Sequence, residues 1–255
     1  MKTISVLGYP LLRVPIHTFI PYLQNILASQ RFVEIMTLNP EIIVQNERLP
    51  ELKQYVQQEA ICVPDGIGLT LAARFLERTL LPRITGVDLA NTVVQSQVFS
   101  IYLIGTEPPI LEKAIQNLRC LYPKLVIKGF HHGFFSSKEE MALIRSIAHL
   151  NPDIVLAGLG YPKQTLFLRK LGASLNRGIG IGIGGMIDIW GEKFTLAPSF
   201  IRKSGMEWLY RAIQNPVRLK RLAFIFSYLS LLLSSQLDGI RGKTQHVTDA
   251  RKNSV

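Results

Sequence analysis

The chain has 255 residues, 47% of them hydrophobic and 18% charged, which excludes global disorder and leaves room for one large buried core with an extension. Basic residues outnumber acidic ones 29 to 18, a net charge of +11, so anionic partners are expected: nucleic acid, phosphorylated substrates or a membrane surface. Two cysteines, Cys62 and Cys120, make a disulfide framework improbable and suit a reducing compartment.

Ile4 to Gly8 reads as a first strand. Arg13, His17 and three prolines interrupt the N-terminal apolar stretch, which is not the pattern of a signal peptide; a cytoplasmic protein is expected. A helix is predicted from about Thr18 to Ala28, with Thr18 as N-cap and Pro21 in its first turns. Phe32 to Leu38 is a second strand, which brings Thr37 and Asn39 to its C-terminal end ahead of Pro40. Helical pieces follow from Glu41 to Gln58, broken near Pro50. Ala60 to Val63 is a short strand, in which Cys62 reads as a small buried residue. It runs into Pro64-Asp65-Gly66-Ile67-Gly68 and a helix from Leu69 to Leu80. Asp65 thus stands between a strand end and a helix start, where a carboxylate is either a cap or a working group. Pro82 to Leu89 is a loop that enters the next helix.

From there strand and helix alternate. Phe99 to Gly105 is a strand and Pro108 to Leu121 a helix; Leu125 to Gly129 is a strand and Ser137 to Leu150 a helix, capped by Ser136 or Ser137 with Glu139 and Glu140 in its first turn. His131 and His132 lie in the connecting loop. Adjacent side chains diverge and no further ligand cluster accompanies them, so no metal site is expected.

Asp153 to Leu159 is almost wholly apolar, the pattern of a strand buried on both faces. Gly158 and Gly160 let the backbone leave the sheet, and Pro162, Lys163 and Gln164 open a helix that runs to about Leu171. Such a helix start offers free N–H groups and a positive dipole end to an anion, and Lys163 adds a full charge. An ordinary strand-to-helix connection is the plain alternative. Gly178 to Ile183 is the last strand. Gly180, Gly182 and Gly185 formally spell G-x-G-x-x-G, but late in the chain and starting inside the strand, which makes a weak dinucleotide fingerprint. Alternating glycines suit close backbone or ligand approach. Gly184 and Gly185 with Asp188 form a second candidate ligand loop, the alternative being a tight turn that needs positive φ. The alternation predicts an α/β fold: a Rossmann-like, mostly parallel sheet covered by helices on both faces.

After Asp188 the pattern changes to Arg/Lys-rich helices. Helices are expected over Pro198 to Lys203, Met206 to Gln214 and from Pro216 onward. Arg202, Lys203, Arg211, Arg218, Lys220 and Arg221 face only Glu207 as an opposing charge. Leu222 to Leu237 carries no charge but is shorter than the ~20 residues that span a bilayer. A helix lying in the membrane interface, with Arg218 and Arg221 at the headgroups, fits this pattern better than nucleic-acid binding; packing on the protein's own core or in an oligomer is the alternative. The expected organisation is a catalytic domain over 1–196, a basic and apolar helical appendage over 197–237, and a polar, disordered tail over 238–255.

Several motifs, taken in order, resemble the WecG/TagA/CpsF glycosyltransferase family (glycosyltransferase family 26). They are Thr37-Leu38-Asn39-Pro40-Glu41, Pro64-Asp65-Gly66-Ile67-Gly68, the segment from Pro82 to Leu89, the segment from Gly158 to Gln164, the segment from Gly182 to Asp188, and the segment from Gly205 to Arg211. The resemblance implies a Rossmann-like domain with a membrane-docking C-terminal appendage. It implies inverting, metal-independent transfer of a sugar from a UDP-sugar, often UDP-N-acetylmannosamine, to a polyprenyl-pyrophosphate-linked N-acetylglucosamine. It also implies a location at the inner leaflet of the cytoplasmic membrane, with no cofactor beyond the donor. By the same resemblance Asp65 is the catalytic base. Thr37, Asn39 and Arg83 line the acceptor and sugar pocket, with Gly66 and Asp88 in the flanking motifs. Gln164 and the loops carrying Gly158, Gly160, Pro162, Lys163, Gly184, Gly185 and Asp188 contact the UDP-sugar. Arg211, Arg218 and Arg221 go to the phosphates. Tyr161, Thr165, Met186 and Ile187 depart from the family pattern beside the donor pocket and leave the identity of the sugar open. A non-catalytic sugar-nucleotide binder at a membrane surface is one competing reading, and a nicotinamide-dependent oxidoreductase is another. A homo-oligomer is compatible with all of them; nucleic acid is not an expected partner.

Overall fold

The computed structural model of the chain describes residues 2–214 and 223–236, apart from the side chains of Ser199, Lys203 and Arg211. Strands β1 (Thr3–Val6) and β2 (Tyr9–Leu12) form an antiparallel hairpin where one strand was expected. Leu7 and Gly8 between them have φ of 51° and 79°, the two-residue turn that matches strand twist, and Val6 pairs with Tyr9 across it. Helix α1 (Phe19–Ala28) leads to β3 (Phe32–Leu38); α2 (Pro40–Asn46) and α3 (Pro50–Gln58) lead to β4 (Ile61–Pro64). Then come α4 (Ile67–Leu76), α5 (Gly86–Ser96), β5 (Ser100–Gly105), α6 (Pro108–Leu121), β6 (Val126–His131), α7 (Ser137–Leu150), β7 (Ile154–Gly158), α8 (Lys163–Gly172), β8 (Gly178–Gly182), α9 (Met186–Trp190), α10 (Ser199–Lys203) and α11 (Glu207–Gln214). Residues 223–236 are helical as well.

The eight strands make one sheet in the order β1-β2-β4-β3-β8-β7-β5-β6, parallel except for the β1–β2 pair. The expected α/β class is therefore the observed one. Side chains alternate across each strand, and the sheet is buried on both sides. On one face Ile35, Ile101, Leu156 and Ile181 pack with Leu23 of α1, Val93 of α5, Leu111 of α6 and Trp190 of α9. On the other, Met36, Leu38 and Cys62 pack under α2, α3 and α4, while Tyr102, Val155 and Ala157 pack under α7 and α8. The two cores of this second face meet at Glu34, an acid in the central strand that is only 2% exposed.

The alternating glycines of β8 explain how α8 lies so close. A Cβ on Gly180 would come within 2.8 Å of Leu168 Cδ2, and one on Gly182 within 2.3 Å of Gln164 Nε2. This is close approach of a helix to a strand, and it withdraws Gly180 and Gly182 from any role as a dinucleotide phosphate loop. Smaller differences from the expected elements have local causes. Helix α4 ends at Leu76, ahead of Arg78 with its positive φ of 50°. Strand β6 continues past Gly129 to His131, because its backbone stays paired with β5 as far as Ile104. Thr18 stands at the N-cap of α1 without a side-chain bond to it; its hydroxyl donates to the Pro15 carbonyl instead.

Candidate active site

Parallel strands put their C-terminal ends on one edge, and the strand-to-helix loops gather there. In β4, β3, β8, β7 and β5 those ends carry Pro64, Leu38, Gly182, Gly158 and Gly105. Asp65 follows directly on Pro64, and its backbone N–H donates to the Leu38 carbonyl at 2.8 Å, which locks the start of the loop to β3. Gly66 then takes φ of 84°, a left-handed conformation that favours glycine, and begins α4. Thr37 bridges the neighbouring ends, its hydroxyl donating to the Gly182 carbonyl at 3.3 Å. Asn39 is the N-cap of α2: Oδ1 accepts from the Ile42 N–H at 3.0 Å. Asp65, Thr37 and Asn39 therefore share an edge; the loop after β8 is two strands from Asp65 and one from Thr37 and Asn39, and the loop after β7 is one strand further.

Those loops also touch each other. A Cβ on Gly158 would lie 2.8 Å from the Gly184 carbonyl oxygen, so the two segments run in backbone contact. Gly160 and Gly184 have positive φ with open space where a side chain would stand. Gly185 precedes α9, whose Asp188 accepts from the hydroxyl of Thr106 at the end of β5. Gln164 is buried in the first turn of α8, and its Oε1 has no hydrogen-bond partner among the described residues. Pro162 joins Tyr161 through a cis peptide bond, and the Tyr161 hydroxyl donates to Asn46 Oδ1 of α2. Thr106 and Asn46 carry no sequence signal of this role; only the fold brings them to these partners.

Three of the expected site residues are otherwise engaged. Lys163, the first residue of α8, reaches the loop after β6. Its ammonium donates to the Gly133 carbonyl at 2.7 Å and lies 4.3 Å from the centre of the Phe135 ring. Asp88 forms a capping box with Thr85 at the start of α5, and its other oxygen lies 3.6 Å from Arg202. Arg83 donates to the Arg202 carbonyl and, at 3.2 Å, to Glu207. Arg83 and Asp88 thus tie the loop after α4 to α10 and α11. Gly205, between those helices, packs on Ile67 of α4, where a Cβ would meet Cδ1 at 2.9 Å. The Arg211 side chain, Arg218 and Arg221 lie outside the described residues, as does the tail from Asp238. Among the described residues no three His, Cys, Asp or Glu side chains converge as a metal site requires.

The 223–236 helix packs back on the protein through Tyr228, which is 3% exposed and donates to the Gly68 carbonyl at 3.4 Å. Ile225, Phe226, Leu229 and Leu233 of the same helix are exposed, as are Leu71 and Phe75 of α4 and Phe200, Met206, Trp208 and Ile213 of α10, α11 and their link. No helix among the described residues is long and apolar enough to cross a membrane.

An open, mostly parallel sheet that gathers an acid, glycine loops and a helix start at its carboxyl edge has the layout of a Rossmann-like α/β enzyme. The chain belongs to the glycosyl transferase WecG/TagA/CpsF family, whose sequence profile matches residues 4–241. It is similar to an N-acetylglucosaminyldiphosphoundecaprenol N-acetyl-beta-D-mannosaminyltransferase of Bacillus subtilis (strain 168), with 28% identity over 240 residues, 92% of this chain and 93% of the relative. Enzymes of the same name from Bacillus spizizenii and Staphylococcus aureus (strain MW2) are each 27% identical. The first match covers 86% of both chains; the second covers 75% of this chain and 76% of the relative.

Proposed function

We propose that the protein moves a sugar, N-acetylmannosamine or a related hexose, from a UDP-sugar to a polyprenyl-pyrophosphate-linked N-acetylglucosamine, in the assembly of a cell-surface polysaccharide or teichoic acid. The names of the relatives support the acceptor and the sugar. The observation that carries the mechanism is the position of Asp65, at the same sheet edge as the loops after β7 and β8.

In this reading the acceptor hydroxyl attacks the anomeric carbon from the face opposite the diphosphate. The new glycosidic bond forms as the bond to the UDP oxygen breaks, so the configuration inverts. UDP leaves with the electron pair, and the hydroxyl proton passes to Asp65. A carboxylate with an ordinary pKa near ~3.9 is a weak base, so it takes the proton late, once the bond to carbon has largely formed. Thr37 and Asn39 flank the reacting sugar. Gln164 and the glycine loops hold the donor, whose diphosphate is met by backbone N–H groups and arginines rather than by a metal ion. The exposed apolar side chains of α4, α10, α11 and the 223–236 helix would rest on the inner leaflet, where a lipid-linked acceptor lies.

Purified protein should release UDP from at least one UDP-sugar of an N-acetylhexosamine panel only when polyprenyl-pyrophosphate N-acetylglucosamine is present. No acceptor-dependent UDP release across the whole panel would overturn this assignment.

A further inference from the structure

Glu34 stands in the middle of β3, where a parallel sheet ordinarily holds only apolar side chains. The Thr165 hydroxyl of α8, itself fully buried, donates to Glu34 Oε1 at 2.9 Å. Among the described residues Oε2 has no hydrogen-bond partner. A charged oxygen without partners in such a place is costly, whereas a neutral carboxylic acid suits it. Thr165 is the next residue after Gln164, so whatever fixes Thr165 fixes the first turn of α8 against the glycines of β8.

We propose that Glu34 is a positioning residue for the donor side of the site: as the neutral acid it seats the first turn of α8, and with it Gln164, and its ionisation unseats that turn. Burial supports the direction, pushing the Glu34 carboxyl up to about 7 against the pull of Thr165, Tyr55 and Arg169. The other groups around it do not titrate in that range. Tyr55 of α3, Cys62 of β4 and Tyr161 of the loop before α8 are all pushed well above their ordinary values by burial. The Arg169 guanidinium stacks 4.6 Å from the centre of the Tyr55 ring. By linkage, a group that holds its proton more tightly in the closed arrangement than in an opened one favours opening as it ionises.

This inference rests on the proposed function only for its kinetic readout. In the full-length protein the donor KM should rise about fivefold or more as pH rises from about 5 to about 7.5, the window that linkage sets for this carboxyl, with kcat changing little. Glu34→Gln, which cannot ionise, should keep the low KM at both pH values. Thr165→Val should raise KM at both, and Thr165→Ser should restore it. Amide hydrogen exchange supplies a readout that needs no turnover. At pH 8.5 the Gln164 and Leu166 amides, bonded to the Gly160 and Pro162 carbonyls, should exchange several-fold faster in the wild type than in Glu34→Gln. At about pH 4, below the ordinary carboxyl value of 4.5, the two proteins should match. If Glu34→Gln is too unstable to study, exchange of the wild type alone, corrected for intrinsic rates, should show the same loss of protection with pH. Equal protection at pH 8.5, or a pH-dependent KM that survives in Glu34→Gln, would overturn the role of Glu34. A protein with no transfer activity but the expected exchange pattern would instead overturn the function and leave this inference standing.

Discussion

At the residue scale, the acids of the chain sit in different surroundings. Asp88 caps α5 and meets Arg202; Asp65 follows β4 on the sheet edge that also carries the glycine loops. The place of Asp65, between a strand end and a helix start, was legible because a strand followed by Pro-Asp-Gly and a helix has few geometries. Glu34 was written just as plainly, as the one charge in Phe32 to Leu38. Its consequence was not, since its partners lie 21 and 131 positions further on in Tyr55 and Thr165. Its effect on stability has a definite sign. The carboxyl is raised from an ordinary 4.5 to about 7, so the folded protein binds more protons than the unfolded chain within that window. Stability therefore falls as pH rises from about 4.5 to about 7 and is level above it, by at most roughly 3 kcal/mol from this group. Urea unfolding should show Glu34→Gln gaining on the wild type across that range, with no difference in slope above pH 8. A stability difference that does not change between pH 5 and pH 8 would contradict this.

At the element scale, the contact of α8 with β8 joins fold and site. The glycine pattern in Gly178 to Gly185 was visible, but sequence spacing cannot tell a helix pressed on a strand from a phosphate pressed on a loop. Gln164 and Leu168 settle it by occupying the space above Gly182 and Gly180. Gly182→Ala should displace the Gln164 amide, a flexible side-chain end, while its backbone accepts a Cβ. The donor KM should rise about tenfold, the upper range for one hydrogen bond, with the melting temperature nearly unchanged. Gly180→Ala meets Leu168 and Phe32 instead and should cost about 1–3 kcal/mol of stability through overpacking, with the donor KM preserved. The opposite ranking of the two variants would show that the glycines meet ligand, not helix. The hairpin of β1 and β2 escaped notice because its turn is Leu7-Gly8, without the Asn or Asp that marks such turns.

At the scale of the whole molecule, ion pairs and a buried tyrosine are among the contacts by which the described C-terminal helices meet the α/β body. Arg83 meets Glu207, Asp88 meets Arg202, and Tyr228 enters the core beside Gly68. The charge pattern pointed to a helix in the membrane interface, with packing on the protein's own core or in an oligomer as the alternative; Tyr228 shows that one face of the helix does pack on the body. Its exposed face should carry membrane affinity. Phe226→Asp with Leu229→Asp should lower binding to vesicles containing anionic lipid by tenfold or more, since each large apolar side chain buried is worth about 1.5–3 kcal/mol. Fold and thermal stability should be retained, because both residues are exposed. Undiminished flotation with such vesicles would place the membrane contact elsewhere.

The chemistry assigned to Asp65 ties these scales together, and one substitution isolates it. With UDP-sugar and polyprenyl-pyrophosphate N-acetylglucosamine both present, Asp65→Asn should lower kcat by about 10²–10⁴-fold, the range for a lost general base. Calorimetric UDP binding should stay close to that of the wild type. A variant that releases UDP at the wild-type rate would contradict the account.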